Sequence, residues 1–365
     1  MSETATLLVD SVTNLAGTGA PNLPVGVSVN GVPLASLNTM DYYAQSGEPA
    51  YPKDAALWFD TDDDVFKIYV NGEWLQVGYS NLPSPLGSRG VFAGGENDTT
   101  TIDYITIPTP GNATDFGDMQ TPKQSSAGAS DGSRGVFAGG YSSGAASSTN
   151  SIEYITVGTP SNGTDFGDLT VARYGLGGAS DGSRGVFAGG YNSGSTNVID
   201  YIAIATTGNA TDFGDLSKNS NGVTAASNTV RAILWLDYQT VEYITVATLG
   251  NATDFGNPTA YNANVAMLAN ETYALVAGGL DASYTFIDSF TIATPSNATD
   301  FGDLLGYQSG PGACSDGTKG LWAGGANAGG YANVITYVTI ATPGNSTDFG
   351  DLTVARRFQP GLSGD

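Results

Sequence analysis

The sequence predicts an all-β fold: a six-bladed β-propeller closed by a C-terminal strand and preceded by a small β-rich N-terminal attachment module. Three observations predict it. The phrase Thr-Asp-Phe-Gly recurs with its Phe at 116, 166, 213, 255, 301 and 349, at separations of 50, 47, 42, 46 and 48 residues. That is the period of a propeller blade. Each repeat holds β-branched and aromatic runs bounded by Gly, Pro and Asn turns, the pattern of short strands. Finally, the two ends of the repeat region are complementary fragments of one blade.

Each blade reads as four strands, named a to d from the axis outward. Fourteen residues before each Phe stands a β-branched residue, Ile102, Ile152, Ile199, Val241, Ile287 or Ile335, within segments such as Ile102-Asp-Tyr-Ile-Thr-Ile. This is strand c, and Thr-Asp-Phe-Gly opens strand d. Strand b is clearest as Gly-Ser-Arg-Gly-Val-Phe-Ala-Gly-Gly at 87–95, 132–140 and 182–190. Phe to the second Gly of the next copy is always 24 residues, although Leu236-Asp237 replace the Gly pair in the fourth. Only the b–c loop varies, spanning 7, 12, 9, 4, 8 and 10 residues. After Phe349 the sequence continues through Thr353-Val-Ala-Arg356, matching Thr170-Val-Ala-Arg173, into a further strand a, whereas the first copy begins at Gly87 without one. The far end is therefore expected to supply strand a of the first blade and hide the sheet edges.

The domains follow: 1–80, an N-terminal module for attachment and oligomerisation; 81–86, a linker stiffened by Pro83 and Pro85; and 87–365, the propeller. In the module, Leu57-Trp-Phe-Asp60, an acidic turn and Val65-Phe-Lys-Ile-Tyr69-Val-Asn-Gly72-Glu-Trp74 read as two or three strands in hairpin arrangement. The linker delivers the chain to the a–b turn, so the module is expected on the face opposite the b–c loops.

Paired glycines after a hydrophobic strand, a Tyr in the next strand and an aromatic twelve residues later (Tyr154 to Phe166, Tyr201 to Phe213) resemble kelch-type propeller repeats over 87–365. The fifth copy departs, with Ser289 in the Tyr place, and Phe replaces the usual kelch Trp. The Trp-Asp dipeptide of WD40 repeats is absent. The module resembles those of bacteriophage tail-fibre and virion-appendage proteins, in which Leu-Trp-x-Asp, a turn and a Tyr-x-x-Gly-x-Trp strand follow a Ser-Val-Asn-Gly leader (here Ser28 to Gly31).

Composition narrows the functions. Net charge is −23 with 12 Lys and Arg, which argues against nucleic acid or anionic membrane as partner. The chain has one cysteine, Cys314, and no histidine, which removes a disulfide framework and the commonest metal ligand and general base. The N-terminus shows neither a signal peptide nor a membrane span, from which release by lysis is expected.

Binding residues are sought in the variable b–c loops, because tolerance of length marks a surface that packing does not dictate. Tyr141, Tyr191, Asn192, Tyr238, Asp281, Tyr284, Asn327 and Tyr331 are the candidates, since Tyr with Ser, Asn and Gly suits adaptable recognition. Solvated drifting loops are the plainer alternative. Asp60-Thr-Asp-Asp-Asp64 has alternating oxygen ligands but lacks the Gly and distal Glu of an EF-hand loop, and an exposed hairpin turn explains it as well. Asn112, Asn162, Asn209, Asn251, Asn297 and Asn345 match glycosylation acceptors, yet six equivalent c–d turns fit turn chemistry better, with Asn tolerating left-handed backbone. Asp115, Asp165, Asp212, Asp254, Asp300 and Asp348 recur once per blade, so they are expected to satisfy backbone donors rather than catalyse. Ser180 to Phe187 is loosely similar to a sialidase Asp box with the wrong spacing, and a carboxylate pair such as Asp98 and Asp281 has nothing to single it out.

No catalytic residue, cofactor or metal is assigned. The resemblance implies a phage structural protein, a tail fibre or appendage assembled in the host cytoplasm and released by lysis. Its module would join other virion proteins as a homo-oligomer, guessed a trimer, and its b–c face would bind a host-surface glycan or protein. The alternatives are a capsid decoration or tail component without a receptor, and a glycan-cleaving enzyme.

Overall fold

A computed structural model of the chain describes the backbone of six strands between residues 28 and 77, and residues 87–96, 99–280 and 285–364 in full. The chain divides into two compact units, Met1–Leu82 and Pro83–Asp365. In the first, Ser28–Val29 pairs with Val32–Pro33, and a separate four-stranded sheet runs Tyr42–Gln45, Leu57–Asp60, Val65–Val70, Glu73–Val77. The last three strands form the expected antiparallel pairs, and Tyr42–Gln45 joins them in parallel, a strand the sequence reading did not include. The acidic turn at 61–64 lies outside the described residues.

The second unit is a six-bladed propeller of four-stranded antiparallel sheets. In blade order, the innermost strands a are Gly361–Gly364, Ala127–Ser130, Gly177–Ser180, Thr224–Ser227, Val265–Ala269 and Gly312–Ser315. Strands b are Arg89–Ala93, Arg134–Ala138, Arg184–Ala188, Arg231–Leu236, Tyr273–Gly278 and Lys319–Ala323. Strands c are Thr101–Thr106, Ser151–Thr156, Thr196–Ala203, Thr240–Thr245, Phe286–Thr291 and Val334–Thr339. Strands d are Thr114–Asp118, Thr164–Asp168, Thr211–Ser220, Thr253–Gly256, Thr299–Asp303 and Thr347–Asp351. Blade 1 takes its strand a from the C-terminal segment, Gly361 opposite Phe92 and Gly364 opposite Arg89, as expected.

Between blades the core packs β-branched side chains: Val91, Ile102, Val136, Ile152, Val186 and Ile199 are at most 1% exposed. The Tyr and Phe that mark the repeat meet edge to face, Tyr154 with Phe166 at 6.1 Å and Tyr201 with Phe213 at 6.1 Å. Above each Tyr lies the strand-b cation, Arg134 at 4.5 Å and Arg184 at 4.6 Å. That cation also ties its blade to the next, Arg134 Nη1 donating to the Ile204 carbonyl at 2.9 Å and Arg184 Nη1 to Val246 at 2.8 Å. Blade 5 has Tyr273 where the cation stands and Ser289 where the Tyr stands. The two departures go together, because a ring with no cation above it loses half its reason to be there.

The Thr-Asp-Phe-Gly glycines are held at φ of +142° to +154°. A Cβ on Gly117, Gly167, Gly214, Gly256, Gly302 or Gly350 would collide with a carbonyl in the c–d turn of the following blade. Beside this contact the Asn of that turn accepts, through Oδ1, the N–H two residues after the Phe: Asp118 to Asn162, Asp168 to Asn209, Asp215 to Asn251, Asn257 to Asn297, Asp303 to Asn345 and Asp351 to Asn112, at 3.0–3.1 Å. The carbonyl of the same strand-d residue accepts a 2.8 Å bond from the residue after that Asn. The Asn backbone is not left-handed, so the repeat keeps Asn for this cross-blade bond and not for turn conformation as expected. The last of the six bonds, Asp351 to Asn112, closes the ring.

A second ring is buried. Arg356 meets Asp103 at 3.1 Å, Arg173 meets Asp200 at 3.1 Å and Lys123 meets Glu153 at 2.9 Å, all at most 3% exposed. Burial pushes the Arg356, Arg173 and Lys123 cations down from their ordinary values, opposed by the partner carboxylate. In blades 4 to 6 the cation is replaced by Ser220, Asn262 and Gln308. Asp288, in blade 5, accepts from the Thr259 N–H at 2.8 Å and hydroxyl at 2.6 Å. Burial holds it above the ordinary aspartate range.

Two outcomes follow. Gly167→Ala is expected to lower unfolding free energy by about 2–4 kcal/mol through strain and displacement of Gly208, whereas Gly208→Ala, whose Cβ meets nothing within 4 Å, leaves it nearly unchanged in urea denaturation. A carboxylate with a raised folded pKa contributes stability that is complete below its unfolded pKa and lost as pH rises through the folded one. Asp288→Asn should therefore gain stability over wild type near about pH 8 and converge with it near about pH 3. A gap that widens on acidification would contradict this.

Candidate binding face around the axis

The b–c loops and d–a turns share one end of the propeller. At its centre the six d–a turns surround an axial cavity of about 420 Å3, and a smaller one of about 90 Å3 lies between the strands a. Each turn carries one left-handed residue at the same position: Ser125, Gly175, Gly222, Asn264, Gly310 and Phe358, with φ between +54° and +67°. Four hydrogen bonds join neighbours among them around the mouth, Ser125 N to Phe358 O, Gly175 N to Ser125 O, Gly310 N to Asn264 O and Phe358 N to Gly310 O, each at 2.8 Å, whereas at blade 4 it is Val223 N that donates to Gly175 O, at 3.1 Å. Phe in this conformation is strained. Its ring occupies the space above Gly310 where a Cβ would stand.

Aromatic rings stand on this face, of which Tyr174 and Phe358 line the cavity. Tyr174, in the d–a turn of blade 3, meets Tyr141 at 5.4 Å and Tyr191 at 5.5 Å. Tyr238 and Tyr261 stack at 4.7 Å with 4° between planes, 39% and 58% exposed. Tyr331 lies beneath Arg357, whose guanidinium is also 4.6 Å from the Phe358 ring. Tyr238 is placed by a tight b–c hairpin: Asp237, at the second position of the other blades' Gly pair, and Tyr238 after it are both left-handed, φ +27° and +60°. Ser220, in the slot of the buried cations, donates to Asp237 at 2.7 Å, so the two departures of blade 4 are also coupled.

Charge is arranged unevenly. Among the described residues of these loops and turns, every charged side chain has an opposite partner: Lys123, Arg173 and Arg356 in the buried ring, Lys218 with Asp237 at 3.7 Å, and Arg357 with Glu96. The Glu96 hydrogen bond pushes the Arg357 guanidinium up from its ordinary value. The axial cavity is lined by no charged residue. Asp118 and Asp303, at the strand-d ends beside these loops, accept from the Thr100 and Thr285 hydroxyls at 2.7 Å and 2.9 Å. Asp115, Asp165, Asp212, Asp254, Asp300 and Asp348 are exposed on the outer strands d, and no side-chain hydrogen bond to a backbone donor involves them. They do not satisfy turn donors as expected. They line the outer edges with charge, which discourages pairing with other chains. Asp131, Asp181 and Asp316 sit at the a–b end, where each accepts N–H groups of its own turn.

Of the residues singled out in the sequence, the structure brings Tyr141 and Tyr191 together through Tyr174 and gives Tyr238 a partner in Tyr261. Asn192 is exposed beside them, its N–H donating to Gly194 at 2.9 Å. Asn327 accepts from Gly329 N at 2.8 Å within its own hairpin. Asp98, Asp281 and Tyr284 lie outside the described residues. Tyr174, Tyr261 and Phe358 were missed because the search followed loop length. The d–a turns keep their length, yet the position after the buried cation reads Gln124, Tyr174, Asn221, Ala263, Ser309 and Arg357, a variation of composition that marks the same surface.

Among the described residues no group of three His, Cys, Asp or Glu side chains is placed to hold a metal ion. No known protein-family model matches the chain, and no curated protein matches it.

At positions 238 and 358 the backbone makes a sharp forecast. Glycine is expected to be more stable than alanine by about 1 kcal/mol at each, because only glycine escapes the left-handed cost. Equal stabilities by thermal denaturation would contradict that geometry.

Proposed function

We propose that this protein is a bacteriophage virion component, a tail fibre or similar appendage, whose kelch-like propeller binds a host-surface receptor through the b–c/d–a face and performs no catalysis. The observation that carries the reading is the contrast between the two kinds of position. The cross-blade bonds repeat six times with little change, whereas the b–c/d–a face varies in length and composition and holds two strained aromatic residues, Tyr238 and Phe358. Strain of about 1–3 kcal/mol per residue persists where something other than stability is served. The virion assignment rests on the sequence resemblance of residues 28–74 to appendage modules, and that module is assigned attachment to other virion proteins. Several propellers on one particle would turn weak contacts into firm adhesion, since later contacts are effectively intramolecular. Absence of histidine and the once-per-blade recurrence of acidic residues support binding without chemistry.

The test is binding of labelled protein to intact candidate host cells beside a variant with residues 142–147 and 192–194 replaced by short Gly-Ser turns. Binding by the native protein that falls at least about tenfold in the folded variant is the expected outcome. A protein that binds no cell, and whose b–c loops are covered by neighbours in the assembled particle, is instead a capsid or tail structural component.

A further inference from the structure

We propose that the axial mouth and the Tyr238–Tyr261 stack on the same loop face form the seat of an uncharged carbohydrate, a neutral hexose or N-acetylhexosamine unit of a surface polysaccharide. The inference rests on the receptor-binding reading above and names the chemistry that the receptor would present.

Charge decides the class. In a chain of net charge −23, the described loops and turns of this face offer no unpaired cation to a carboxylate, sulfate or phosphate. An anionic glycan would meet the long-range repulsion of the whole protein with no local compensation. A neutral ligand meets neither penalty. The cavity of about 420 Å3 falls within the roughly 300–1,000 Å3 of small-molecule sites.

Polarity then favours a sugar over an apolar molecule. The lining carries the amides Gln124, Asn221 and Asn264 and the backbone of the left-handed turns. Gln124 Oε1 is a buried acceptor without a partner in the protein, the kind of group that a ligand hydroxyl satisfies. The stack supplies the other half of sugar recognition. Two parallel rings stiffen one another, and Tyr261 is exposed enough to take the C–H face of a pyranose. Asn262 N donates to Tyr238 O at 2.9 Å and Leu280 N donates to Asn262 Oδ1 at 3.0 Å, so the stack is tied to its surroundings and not a drifting side chain. Tyr261 stands three residues before Asn264, which lines the cavity.

The experiment uses the full chain on an array of neutral and acidic bacterial polysaccharides, at about 50 and about 500 mM salt, either side of physiological ionic strength. Retention of one or more neutral polysaccharides is expected, with little change across salt. Tyr261→Ala should weaken it at least about tenfold, and Tyr261→Trp should retain it. Tyr261 is exposed, so circular dichroism and melting of the variants should match wild type. Binding confined to acidic polysaccharides, neutral binding indifferent to Tyr261→Ala, or no polysaccharide bound would each overturn the inference. If cells are bound while no neutral polysaccharide is, this inference falls and the receptor reading stands; if neither is bound, both fall.

Discussion

The contact that the rest of the propeller depends on is the near-collision between a strand-d glycine and the c–d turn of the next blade. There the outer strand and the neighbouring turn run too close for any Cβ. Two hydrogen bonds, one through the Asn side chain and one through backbone, bind the pair on either side. A blade so attached at its outer edge can be held inward by the strand-b cation over the next blade's carbonyl and by the buried polar ring. Because the contact is made six times and its last instance joins Gly350 to Gly111, no blade is terminal. The closure between blades 6 and 1 uses the same devices as the rest: Asn112 with Asp351, Asp103 with Arg356, Lys319 with the Pro108 carbonyl.

Stability drawn from outer turns and blade interiors leaves one end of the molecule free to differ from blade to blade. The distribution of charge follows the same division. Carboxylates are placed on the outer strands, where they protect edges, and on the a–b end, where they accept turn amides. At the b–c/d–a end every described cation of the loops and turns is paired with a carboxylate.

The blade count, the four strands, the variable loop and the C-terminal closing strand were all legible in the sequence, since each depends on spacing alone. The Tyr-to-Phe interval of twelve residues was legible too, and it reports a ring contact within a blade. What escaped was whatever spacing does not encode. Asn112 and its equivalents could be seen to repeat, but that their side chains reach the preceding blade required the third dimension. The outward direction of Asp115 and its equivalents was likewise hidden, because Asp before Phe in an edge strand looks the same whether it caps a turn or faces water. Tyr174, Tyr261 and Phe358 sit in loops of constant length, so variation of length could not reveal them. Blades 4 and 5 show how departures come in pairs: Asp237 with Ser220, and Tyr273 with Ser289. Single departures look like noise, and in blade 4 the hydrogen bond from Ser220 to Asp237 joins the two.

Ring closure is most directly tested by hydrogen–deuterium exchange of the intact protein. Amides of residues 361–364 and 89–93 are expected to exchange together, in the slow class of the inner strands of blades 2 to 6, since they belong to one closed ring. Fast exchange at 361–364, independent of 89–93 while blades 2 to 6 stay protected, would show an open ring and contradict the closure.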